Sequence, residues 1–159
     1  MRIKIALLIV LAVFVGCQSH KTDKLLELIQ KDIFNNKKVT ISLSNYTTFK
    51  WDSCFVLNGA FSEEVIEKIL KINYDGTATN SEDDLIIFIN NSKIFYKEYF
   101  NDNNLPKIQF NKINDSDYVP YYNPQNSKFK VKIEETYNGS GKKFYNFVPI
   151  MDSSSTNNK

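Results

Sequence analysis

The sequence predicts an α+β domain: one antiparallel sheet of about five to seven strands with two helices packed on one face, after an N-terminal signal peptide. Three observations predict it. Apolar residues recur at helical spacing in two short segments, Leu25 to Ile33 and Val65 to Leu70. Several other segments alternate apolar and polar residues with the period of a strand. Those segments follow one another across turn signals instead of alternating with helices, which favours antiparallel pairing over parallel crossovers.

Met1 to Lys4 carries two positive charges, and Ile5 to Val15 is uninterrupted and apolar. That run is about half the ~20 residues a membrane-spanning helix needs. A basic head, a short oily middle and the small residue Gly16 make a secretory signal. The organisation expected is a signal peptide over 1–16, Cys17 and a polar tether to 22, a single domain over 23–151, and a disordered tail over 152–159.

In the domain, Thr22 or Asp23 caps a first helix with Leu25, Leu26, Leu28, Ile29 and Ile33 on one face, ended by Asn35-Asn36. Val39, Ile41 and Leu43 alternate with polar residues, a strand with one wet face. Cys54 to Leu57 is apolar at every position, so both faces are buried and the strand is central. Ser62 caps the second helix, with Glu63 and Glu64 at the positive end of its dipole and Phe61 placed to staple onto Ile66. Asp75-Gly76 closes that segment, and a polar loop follows to Asp83.

Residues 84–100 read as two strands around Asn90 to Lys93, and Asn101 to Asn104 as a loop. Lys107 to Ile113 reads as a short strand. Residues 114–126 read as irregular, because two prolines and several turn residues break either period. Phe129, Val131 and Ile133 alternate with Lys130, Lys132 and Glu134 in a final hairpin that turns at 138–141 and returns over 142–150.

Phe14-Val15-Gly16-Cys17 resembles the lipobox of bacterial lipoproteins, with Phe14 where that family prefers Leu. The resemblance implies a diacylglycerol joined to the Cys17 thiol, cleavage just before it, and acylation of the new amino group. One acyl chain holds a protein only marginally, at ~0.8 kcal/mol per buried methylene, whereas several hold it firmly. Gln18, in place of the Asp that often retains Gram-negative lipoproteins in the inner membrane, leans toward the outer membrane in such a cell. The alternative is an ordinary cleaved signal with an unmodified Cys17. Further on, Phe49-Lys50-Trp51-Asp52, then an apolar strand and a capped helix, is loosely similar to small bacterial lipoproteins of unassigned function. That likeness covers residues 40–72 and implies no catalytic residue.

Composition excludes several classes. The formal charge of +2 rests on Arg2 and Lys4, which leave with the signal. The mature chain is then neutral, with no basic footprint for nucleic acid. Cys54 is the one thiol left after lipidation, so no internal disulfide forms. The single histidine, His20, sits in the tether. A Ser-His-Asp triad, a Cys-His pair and a histidine-rich zinc site each lack a member, and no cofactor or metal is expected.

The remaining candidates are each set against a structural reading. Trp51-Asp52 reads first as a tryptophan filling the core edge with Asp52 bonded to nearby backbone N–H groups, and second as a small cleft. Cys54 reads as an inert buried thiol. Glu63/Glu64, Asp83/Asp84 and Glu134/Glu135 are adjacent pairs whose side chains diverge, whereas a glycosidase needs carboxyls about 5 to 9.5 Å apart across a cleft. Asp115 and Asp117 lack the EF-hand pattern and read as a solvated turn. Tyr118, Tyr121 and Tyr122, stiffened by Pro120 and Pro124, offer contact area at low entropic cost, which suits recognition, or else fold back to cover the sheet. The function expected is a lipid-anchored, non-enzymatic binding module with an envelope protein as partner. The alternative is a carboxylate-based envelope hydrolase acting on glycan.

Overall fold

The computed structural model describes residues 24–81, 83–101, 107–135 and 143–150. The expected signal peptide over 1–16, Cys17, the expected tether with His20, the expected turn at 138–141 and the expected tail over 152–159 lie outside the described residues. The chain forms α1 (Leu25–Asn36), β1 (Thr40–Ser42), a 3₁₀ turn (Leu43–Asn45), β2 (Ser53–Asn58), α2 (Glu63–Leu70), β3 (Asp83–Asn90), β4 (Lys93–Asn101), β5 (Lys107–Phe110), β6 (Tyr121–Tyr122), β7 (Lys128–Glu135) and β8 (Lys143–Pro149).

The class is α+β, but the strands do not join into one antiparallel sheet. They form two sheets of four, ordered β4-β3-β2-β6 and β1-β7-β8-β5. The first is antiparallel throughout. In the second, β5 runs parallel to β8, with Ile108 beside Tyr145 and Phe110 beside Phe147. Beyond β5 the chain wraps through β6 of the other sheet before returning, and that detour permits a parallel partner.

The helices lie on opposite faces of the first sheet, which corrects the expectation that they share one. The reason is written in β3, DLIIFIN, where every position from Leu85 to Ile89 is buried. Leu85, Ile87 and Ile89 pack with Ile66 and Leu70 of α2. Ile86 and Phe88 point the other way, into the main core with Leu26, Ile29 and Ile33 of α1 and with the inner face of the second sheet. A strand without a wet side needs a cover on each side. β2 divides likewise: Cys54 and Val56 face the main core, and Phe55 and Leu57 face α2. Edge-on rings fill the main core between the sheets, with Phe110–Phe147 and Tyr122–Phe129 each 4.8 Å apart.

The helix starts differ. At α2 the Ser62 hydroxyl accepts the Val65 N–H at 3.3 Å, and Lys71 ends the helix in the left-handed region, ahead of Asp75-Gly76. At α1 the capping position is Lys24, which offers no side-chain bond. The orphan amides are met from β4. The Tyr96 hydroxyl accepts the Leu25 N–H at 3.3 Å and donates to Glu98 Oε2 at 2.7 Å. The Glu98 carboxylate also takes backbone N–H groups of Leu25 and Leu26. Glu98 is only 6% exposed, and burial pushes its carboxyl above the ordinary value although these donors pull it down. At the other end of α1, Asp32 accepts from Lys38 Nζ and the Tyr46 hydroxyl, each at 2.5 Å, and from Asn36. Lys38, then Tyr46 and Asn36, hold its carboxyl down at about 2.

A bulge sets the faces of β4. Phe88 pairs with Tyr96, but Ile89 pairs with Ile94, so Phe95 is the extra residue. The shift puts Ile94 under α2 and Tyr96 against the main core, and Phe95 stands exposed beside Phe49 with ring centroids 5.0 Å apart.

Candidate binding surface

The loop ahead of β7 reaches the first sheet at β6, two residues long, at the edge beside β2. The Val56 N–H donates to the Pro120 carbonyl at 3.1 Å. Cys54 then pairs with Tyr122, and Phe55 with Tyr121. The segment expected to be irregular thus holds a short strand, and the period of a strand sends its two tyrosines to opposite faces.

Tyr122 is fully buried in the main core, and its hydroxyl donates to the Asn111 carbonyl. Burial pushes its phenol well above the ordinary range. It is corrected from a binding candidate to a core residue, because its partner Cys54 faces the interior.

Tyr121 is 40% exposed and lies over Phe55, with ring centroids 5.0 Å apart. Tyr118, 74% exposed, meets Phe61 edge-on at 6.3 Å. Both phenylalanines pack against the cluster under α2, so each exposed tyrosine rests on a ring tied to the core. Phe61 is fixed further: its N–H donates to Thr79 Oγ1 at 2.9 Å and its carbonyl accepts the Thr79 N–H at 3.0 Å. Sequence reading missed Phe55 and Phe61 as supports. The parity of Phe55 along β2 and the staple position of Phe61 were the available signals.

Trp51 and Asp52 take the core-edge arrangement. The Trp51 ring is buried, edge-on to Phe88 at 5.1 Å, with its Nε1–H donating to Thr47 Oγ1 at 3.0 Å. Asp52 is exposed, and its Oδ2 accepts the Asn91 N–H at 2.6 Å. Asn91 and Ser92, both left-handed, form the β3–β4 turn, which Asp52 braces. The Cys54 thiol is fully buried, and desolvation raises its pKa. Among the described residues no group of three or more potential ligands is placed to hold a metal ion.

An open depression of about 440 Å³ lies beside α2, lined by Ile72, Asn73, Asp75, Ser92, Lys93 and Ile94. Asp75 is its one carboxylate. Lys97 pairs with Asp75 at 2.7 Å and lowers its pKa. A glycosidase acid needs the opposite shift and a second carboxyl facing it.

No family model matches the sequence, and neither the curated proteins nor the solved structures contain a significant match.

Proposed function

We propose that the protein is a lipid-anchored lipoprotein of the bacterial envelope acting as a non-enzymatic binding module of adaptor, inhibitor or immunity type. Lipid on Cys17 holds it to the membrane, the outer one in a Gram-negative cell. An envelope protein docks on Tyr118 and Tyr121. The observation that carries the binding part is the bracing of two exposed tyrosines by Phe61 and Phe55. A tyrosine already held against the core loses little freedom on binding, and such anchors contribute ~2 kcal/mol or more at interfaces. The anchoring part rests on the charged head, the apolar run and Gly16-Cys17.

Fatty-acid labelling in cells tests the anchor. The native chain takes up an alkyne-tagged fatty acid and fractionates with membranes. Cys17→Ala abolishes both. Unchanged labelling of that variant contradicts the lipobox reading.

A further inference from the structure

The second sheet turns one face to the main core and the other away from it. Phe129 and Val131 of β7 point inward. The alternate positions Lys128, Lys130 and Lys132 point outward and are exposed. They stand about 7 Å apart along the strand. None of the three is in an ion pair among the described residues. Their cross-strand neighbours are neutral: Ser42 beside Lys128, Thr40 and Val148 beside Lys130, and Asn146 beside Lys132. Glu134, farther along β7, accepts the Asn146 amide at 3.1 Å.

A sheet face that is merely solvated gains by setting opposite charges across from one another. Here three like charges line one strand with no counter-charge opposite, in a mature chain with no net charge. The excess is local, and it lies on a broad sheet face instead of in a pocket. We propose that the row Lys128, Lys130 and Lys132, with Val148 beside it, docks on anionic phospholipid headgroups. An open sheet face suits a bilayer surface, and the charge suits acidic lipid. Near such a surface each lysine strengthens binding roughly fivefold, so three together contribute on the order of a hundredfold, a gain that salt screens.

This surface is separate from the tyrosines and does not need the acyl chains. The full-length chain carrying Cys17→Ala, which takes no lipid, is therefore the test protein. Its partition onto phosphatidylglycerol vesicles is compared with that onto phosphatidylcholine vesicles by flotation, with and without Lys128→Gln/Lys130→Gln/Lys132→Gln. The leader is the same in both chains, so the difference between them reports the face alone. The expected result is a preference for phosphatidylglycerol that falls on the order of a hundredfold in the triple variant, returns with three arginines and collapses at high salt. An equal preference in the two chains overturns the proposal. So does retention on polyglutamate beads with no preference between vesicles, which would assign the face to an acidic protein. Either failure leaves the fatty-acid labelling of Cys17 in the native chain untouched.

Discussion

Tyr121 and Tyr122 are neighbours in sequence and face opposite sides of the same sheet. Tyr121 lies 40% exposed over Phe55, and Tyr122 is fully buried with its hydroxyl on the Asn111 carbonyl. Two-residue β6 separates a surface ring from a core ring, and this gives the first prediction. Tyr122→Ala should cost about 3–5 kcal/mol, since it empties a site among Phe110 and Phe129. Tyr121→Ala should cost under about 1 kcal/mol. Urea denaturation of the two single variants checks both values. Equal losses would contradict the pairing of β6 with β2.

The second prediction concerns Glu98, which caps α1 from β4. Burial is the largest influence on its carboxyl and raises its pKa. A folded-state pKa above the unfolded one means that the fold binds the proton more tightly. The stability from that group is complete below the unfolded value of ~4.3 and is lost as pH rises through the folded value. Glu98→Gln has no such loss and keeps an oxygen to accept the Leu25 and Leu26 amides. Relative to the native chain, the variant should gain stability as pH rises from the unfolded value of ~4.3 through the raised folded one, followed by thermal melting. A native chain that gains on the variant over that range would show the N–H donors outweighing burial.

Cys54 supplies the third. Its thiol is fully buried and its pKa raised by desolvation. The thiolate is the reactive form, so the folded chain should resist thiol reagents until denaturant is added. Rapid labelling under native conditions would place β2 at an accessible edge, not between β3 and β6.

Much of the fold was legible because its signals are local. Ser62, Glu63 and Glu64 mark the start of α2 within three residues, and Phe129, Val131 and Ile133 mark β7 by parity. The second sheet was not legible, because β5 joins β8 through parallel pairing between distant segments with no crossover helix to announce it. The placement of helices on both faces was readable in principle: the run from Leu85 to Ile89 has no polar side. The α1 cap was not readable, since Glu98 is distant in sequence from the amides it serves. At the candidate surface, three tyrosines around Pro120 drew notice as a group, but two residues of strand are too few to reveal a period. Nothing in sequence separated Tyr122 from Tyr118 and Tyr121.

The most direct measurement of the central claim, that exposed braced tyrosines bind an envelope partner, is site-specific photo-crosslinking in cells. A benzophenone amino acid replaces Tyr118 in one strain and Lys31, an exposed residue of α1, in another. Position 118 should give a discrete, light-dependent adduct with an envelope protein, weakened about tenfold or more by Tyr121→Ala, as loss of ~2 kcal/mol at an interface requires. Position 31 should give none of it. The absence of any adduct at 118, or the same adducts at 118 and 31, would contradict the account.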